Sequence, residues 1–204
     1  MHLISTCKHV GQIAFTFDDG VSNNFETLLK ILDQEKVIAT FFIIGNTLLD
    51  SHKFGMAKDA YKAGHILGNH TWSHCNALKV TPEQLSKELD DTEAMLRKVQ
   101  DGAETVKFYR PPFGAIDQSV YDHVAAKGYK VFYWNLDLND WNVHIPKDKL
   151  LADYKDFFNK ADPKKHSYIS LQHDMRIHSV ELVPEILRMV RDKGFEIVTT
   201  KDCI

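Results

Sequence analysis

The chain has 204 residues, 44% of them hydrophobic and 11% aromatic, enough for one sizeable core and within the usual size of one domain, so residues 1–204 are read as a single domain. A formal net charge of -3 offers no basic footprint for a phosphate backbone, which excludes nucleic acid as the expected partner. No apolar run approaches the roughly 18 residues of a membrane span, and residues 1–10 lack the apolar stretch of a signal peptide, so the chain as given is expected to be soluble, with no membrane span.

Short β-rich runs alternate with helical patterns along the chain. Residues 12–17 read as a strand and 24–35 as a helix, with Phe25, Leu28, Leu29 and Leu32 at helical spacing. The continuous apolar run ATFFII at 39–44 suits a strand covered on both faces, and 65–68 is a weaker strand candidate. Thr81-Pro82-Glu83-Gln84 reads as an N-cap, a proline at the first helical position and a capping-box glutamine, and Leu85, Leu89, Leu96 and Val99 carry the stripe onward. Residues 106–109 follow as strand, 118–127 as helix with Gly128 as C-cap, and 130–134 as strand. Residues 147–159 are helical, with Leu150, Leu151, Tyr154, Phe157 and Phe158 on the apolar side. Residues 167–171 return to strand, 180–193 form the last helix, Gly194 ends it, and 195–199 close the series. No repeat or linker-like tract divides the chain. The alternation predicts an α/β fold with a parallel sheet, and about seven strands with a helix between most pairs suggest a closed or nearly closed barrel.

The unusual polar residues fall just after strands, at Asp18-Asp19, His70 and His74, Arg110, 137–141 and His173. In a parallel barrel those positions share one rim, where active sites are assembled from several strands. Asp18 and Asp19 precede Gly20, so alone they are most simply a turn; as strand-end neighbours, however, they point in different directions, one free to ligate a metal while the other faces a substrate. His70-Thr71-Trp72-Ser73-His74 spaces two imidazoles so that both reach one ion, although a chain with eleven histidines will contain chance pairs. With one Asp they make a two-His, one-carboxylate set that leaves coordination positions open, whereas a structural zinc would more often close its site with cysteines. Arg110 opens Arg-Pro-Pro-Phe-Gly, where paired prolines fix the backbone and a guanidinium can clamp a carboxylate; an exposed Arg before a turn fits as well. Asp137-Leu138-Asn139-Asp140-Trp141 and Leu171-Gln172-His173-Asp174 add carboxylates, an aromatic wall and a third histidine, which a carboxylate would orient as a proton donor. Of the three cysteines, Cys7 and Cys203 stand near opposite ends of the chain, which leaves two readings open: a pair, or three free thiols.

The ordered set Thr16-Phe17-Asp18-Asp19-Gly20, His70-Thr71-Trp72-Ser73-His74, Arg110-Pro111-Pro112-Phe113, Asp137-Leu138-Asn139-Asp140-Trp141 and Leu171-Gln172-His173 resembles the five motifs of the carbohydrate esterase family 4 polysaccharide deacetylases, the NodB homology domain. The resemblance runs from about Ile13 to the C-terminus, and five motifs in order are far more specific than any one. It implies a NodB-like distorted (β/α) barrel, one divalent metal, usually zinc with cobalt as the alternative, and removal of acetyl groups from N-acetylglucosamine polymers or oligomers. It further implies Asp18 as catalytic base, Asp19, His70 and His74 as metal ligands, Arg110 as the holder of Asp18, and Asp140 as the residue that orients His173, the acid. The backbone N–H of Phe113 would help to stabilise the oxyanion; the third motif commonly ends in Tyr, but a backbone contact is indifferent to that change. Trp141 and Leu171 would line the acetyl pocket.

Within the family, Ser73-His74, Trp134-Asn135-Leu136-Asp137 and the tail Gly194-Phe195-Glu196-Ile197-Val198-Thr199 with Cys203 resemble fungal-type chitin deacetylases most. That likeness implies a Cys7–Cys203 disulfide, an extracellular or cell-wall location, and conversion of chitin into chitosan and acetate; the expected working form is a monomer. Peptidoglycan N-acetylglucosamine deacetylase and acetylxylan esterase are the rivals inside the family. A chitin-binding module without catalysis should have lost the base, a ligand or the acid, and all are present. A non-haem iron oxygenase shares the two-His, one-carboxylate set but leaves the paired Asp and His173 unexplained.

Overall fold

The computed structural model describes residues 1–204. Its strands are β1 (Gln12–Ala14), β2 (Thr16–Gly20), β3 (Thr40–Ile43), β4 (Ile66–Asn69), β5 (Phe108–Tyr109), β6 (Lys130–Val131), β7 (Leu136–Asp137), β8 (Tyr168–His173) and β9 (Glu196–Val198). Its helices are α1 (Phe25–Gln34), α2 (Ser51–Lys62), α3 (Pro82–Val99), α4 (Gln118–Ala126), α5 (Lys147–Lys160) and α6 (Ile177–Lys193). They fall into two compact units, the first made of Met1–Ile4, Asp19–Val21 and Phe41–Tyr133, the second of Ser5–Asp18, Ser22–Thr40 and Trp134–Ile204.

In the first unit the strand order is β3-β4-β5-β6, with β5 parallel to both β4 and β6. Every residue of β3 and β4 is buried, as the apolar run at 39–44 led one to expect. Gly68 is required in β4 because a Cβ there would lie 2.6 Å from the Phe42 ring. The capping box of α3 forms as read: Thr81 Oγ1 accepts the Gln84 N–H at 3.3 Å and Gln84 Oε1 accepts the Thr81 N–H at 2.8 Å. Leu85 and Leu89 of α3 then pack with Tyr109, Val124, Tyr129 and Val131, each buried aliphatic side chain stabilising the unit by about 1.5–3 kcal/mol. Helix α2 is absent from the sequence reading. Its buried residues are only Met56, Ala57 and Ala60, and Gly55 interrupts it, so its apolar period is faint. Asp50, whose carboxylate accepts from the N–H groups of His52 and Lys53, was the one legible start signal.

In the second unit the order is β2-β8-β1-β9, with β7 also on β8, and all of these pairs are parallel. The wholly buried β8 has partners in β1, β2 and β7. The single strand expected at 12–17 is two, broken at Phe15. There Ser170 replaces the backbone ladder with its side chain: its hydroxyl accepts the Thr16 N–H at 3.1 Å, and the Thr16 hydroxyl donates to its carbonyl. The strand expected at 130–134 stops at Val131, Phe132 pairs only as an isolated bridge with Ile4, and β7 is a separate short strand. Helix α6 starts before the predicted 180 because its N-cap, Arg176, is a residue that marks no helix start. Its end is as read, with Gly194 left-handed at φ 87°.

Cys7 and Cys203 are joined by a disulfide across 196 residues of sequence, flanked by the Lys8 N–H donating to the Cys203 carbonyl at 2.7 Å. Cys75 is half-buried, and burial together with the Glu88 charge pushes its thiol up to about 11. The native protein is therefore expected to react slowly with a thiol reagent at neutral pH, the denatured unreduced chain to titrate one thiol, and the reduced chain three. Replacing Cys203 with Ser should cost about 2–5 kcal/mol of stability in the chain-entropy picture. Three thiols without reduction would contradict the bridge.

Candidate metal centre and acid–base pair

Asp19, His70 and His74 offer three ligand atoms that all lie within 4.8 Å of one another in the first unit. Asp19 Oδ1 stands 3.2 Å from His70 Nε2 and 3.1 Å from His74 Nε2. His70 Nδ1 is 2.8 Å from the Arg110 carbonyl, which can only accept, so a proton sits on Nδ1 and Nε2 is the ring atom turned toward Asp19. Two ring nitrogens and a carboxylate oxygen gathered at such distances form a donor set that one cation can share. Tetrahedral bonds of about 2.0–2.1 Å separate ligand atoms by about 3.3 Å, close to both measured approaches, and the nitrogen and oxygen donors suit a divalent ion of the zinc type. The donor set therefore fits a metal. Burial alone would raise the Asp19 pKa, but hydrogen bonding and charge from the two histidines outweigh it and hold the carboxyl well below the usual range.

The backbone bends hard to bring these groups together. Asp19, Thr71 and His74 all adopt left-handed φ, at 67°, 65° and 59°, a conformation that costs a non-glycine residue about 1–3 kcal/mol and survives only where its surroundings impose it. Those surroundings were not legible in the motifs. Asn69 accepts the Thr71 N–H at 2.9 Å while its amide donates to the Leu89 carbonyl and the Tyr129 hydroxyl. The Thr71 and Trp72 carbonyls accept from the N–H groups of Gly45 and Asn46. Gly45 cannot be larger, since a Cβ would lie 2.8 Å from the Trp72 ring and 2.5 Å from the Thr92 hydroxyl. Glu88 of α3 accepts both the Ser73 N–H at 2.7 Å and the Ser73 hydroxyl at 2.9 Å, so a helix carboxylate anchors the loop between the two histidines.

Arg110 is fully buried, its guanidinium 4.3 Å from the centre of the Phe42 ring and donating to the Tyr133 carbonyl at 2.9 Å. Phe113 has φ 60° and lays its largely exposed ring 4.5 Å from that of His74. Gly114 and Ala115 donate to the carbonyls of Pro111 and Pro112 to close that turn, and the Phe113 N–H takes no part in those bonds.

In the second unit, parallel pairing of β2 with β8 sets Asp18 opposite His173, both buried. Asp140 holds His173 at two points: Oδ1 is 2.7 Å from Nδ1, and Oδ2 accepts the backbone N–H at 2.8 Å. A carboxylate on Nδ1 fixes the proton there and leaves Nε2 as the working nitrogen. Leu171 is buried in β8 opposite Asp137, and Trp141, next to Asp140, is about half exposed. Arg176 and Ser179, which donate to the Asp140 carbonyl, had no motif to announce them.

A family model described as polysaccharide deacetylase matches residues 5–132. The chain is 29% identical to the chitin deacetylase of Colletotrichum lindemuthianum, across 98% of its own length and 82% of that protein. It is 27% identical to the peptidoglycan-N-acetylmuramic acid deacetylase of Bacillus subtilis, across 93% of its own length and 70% of that protein. The solved structure of the Colletotrichum enzyme matches with a TM-score of 0.92 at 27% identity, covering 100% of this chain and 91% of that one. The expected α/β fold of parallel strands and helices is thus the fold of these deacetylases.

The support for the 70–74 loop is open to test. Glu88→Ala removes both acceptors of Ser73 and should weaken binding of a divalent metal about 10- to 100-fold, measured by competition with a chelator, while the protein stays folded. Unchanged affinity would show that the loop holds its shape without α3.

Proposed function

Because the chain belongs to the polysaccharide deacetylase family, we propose that it hydrolyses N-acetyl groups on N-acetylglucosamine polymers or oligomers, chitin above all, releasing acetate and leaving chitosan. The observation that carries this reading is the meeting of Asp19, His70 and His74 at one point, the donor set of a metal hydrolase. When bound there, a divalent ion, zinc by preference and cobalt as the alternative, supplies Lewis acidity toward the acetyl carbonyl and lowers the pKa of the attacking water.

The remaining chemistry belongs to the chain. Asp18 is assigned to take the proton of the attacking water, and Arg110 to hold that carboxylate. The Phe113 N–H donates to the oxyanion as the carbonyl becomes tetrahedral. His173, its Nδ1 anchored on Asp140, passes a proton from Nε2 to the nitrogen of the departing sugar, which is a poor leaving group until it is protonated. Trp141 and Leu171 are assigned to the acetyl pocket.

Chitin is favoured by the likeness to the Colletotrichum enzyme over nearly the whole chain. The likeness to the Bacillus subtilis enzyme supports peptidoglycan as the second reading. The disulfide supports an extracellular or cell-wall location, and no helix is long and apolar enough to cross a membrane. We assign the working form to a monomer.

Acetate release from N-acetylglucosamine oligomers should be abolished by a chelator and restored by zinc, and should exceed release from peptidoglycan and acetylxylan. Preference for peptidoglycan would move the substrate to the second reading, and full activity in metal-free protein would sink the mechanism. His173→Ala should lower turnover about 10²- to 10⁴-fold with metal content unchanged. A variant that lost its metal would make His173 a ligand instead of the acid.

A further inference from the structure

Arg176 stands where helix electrostatics alone would not put it. It is the N-cap of α6 and makes no capping bond, and a cation there faces the positive end of the helix dipole. Its guanidinium reaches instead to the loop that follows β7. Nη1 donates to the Asp140 carbonyl at 3.1 Å and to the Asn142 carbonyl, and Nη2 donates to the Ile145 carbonyl at 3.1 Å. One turn into the helix, the buried Ser179 adds its hydroxyl to the Asp140 carbonyl at 3.1 Å. Residues 138–146 contain neither helix nor strand, and although the Asn142 carbonyl also takes the Ile145 N–H at 3.1 Å, the loop has no ladder to satisfy the carbonyls of Asp140 and Ile145. Asn139, at φ 55°, adds a bend that something must hold.

What the loop delivers is Asp140, only 1% exposed, with its two bonds to His173. A two-point grip works only while the carboxylate plane is fixed, and the backbone of Asp140 is fixed from Arg176 and Ser179. We propose that Arg176 is a positioning residue for His173, acting through Asp140: it locks the Asp140–Ile145 loop onto the start of α6 so that the imidazole keeps one orientation. Arginine suits this task because three carbonyls at different points need a planar fork of donors, which the single ammonium of lysine cannot match. The proposal rests on reading His173 as the proton donor.

The test is steady-state acetate release from the N-acetylglucosamine tetramer, with bound metal and melting temperature recorded for each variant. Arg176→Met keeps the length of the stem and removes every donor; kcat should fall about 10- to 100-fold with KM and metal content unchanged. Arg176→Lys should fall between the two. The decisive arm is non-additivity: in a His173→Ala background, Arg176→Met should produce no further loss, because a residue that works through His173 has nothing left to position. Should Arg176→Met fail to fold, Ser179→Ala removes one donor from the same carbonyl and should give a smaller fall in kcat that likewise vanishes in the His173→Ala background. A wild-type kcat in the folded Arg176→Met protein, or a loss of equal size with and without His173, overturns the proposal alone. Wild-type turnover in His173→Ala overturns the reading of the acid, and the proposal with it.

Discussion

Two imidazole nitrogens approach a single carboxylate oxygen of Asp19 to 3.2 and 3.1 Å, with the His70 proton committed to the Arg110 carbonyl on the far side of its ring. That arrangement suits one cation shared by the three groups, and the rest of the first unit is built to impose it. Three residues sit in left-handed backbone, a buried asparagine and a helix carboxylate pin the intervening loop, and a glycine yields its side chain so that Trp72 can pack over it. Strain of this kind is retained where a site requires it.

The second unit applies a related device to the group proposed for proton transfer. His173 ends a wholly buried strand, and Asp140 arrives from a loop that has no regular structure and therefore borrows rigidity from Arg176 and Ser179. Asp18 faces His173 in the parallel ladder, while Asp19, its neighbour along the backbone, belongs with the histidines. Two successive carboxylates are thus given different surroundings by one step along a strand end, which suits them to different work.

The residues that announce chemistry were legible in the sequence because their types are unusual where they occur: paired Asp after an apolar strand, two His four apart, an Arg before paired prolines. Long amphipathic helices were legible too, as were the capping box of α3 and the glycine that ends α6. What escaped notice was support. Glu88 lies on a helix face that also carries ordinary solvated charge, Asn69 ends a short strand, and Arg176 occupies a cap position that favours other residues, so none stands out until the fold shows what each one touches. Helix α2 escaped because alanine and a single methionine make too faint a stripe, and the breaks at Phe15 and Val131 because a side chain or an isolated bridge takes over from the ladder. The proposed polymer rests on resemblance alone, since the residues assigned to the hydrolysis do not differ in kind between one acetylated sugar and another.

The measurement that tests the account most directly compares Asp18→Asn with Asp19→Asn, by metal stoichiometry and acetate release on the same preparations. Asp18→Asn keeps the shape of the side chain but cannot take a proton from water, so metal should remain bound while turnover collapses. Asp19→Asn exchanges an anionic ligand for a neutral one, so metal should be lost first and part of the activity should return with excess metal. Loss of metal from Asp18→Asn and its retention by Asp19→Asn would reverse the two roles and contradict the account at its central pair.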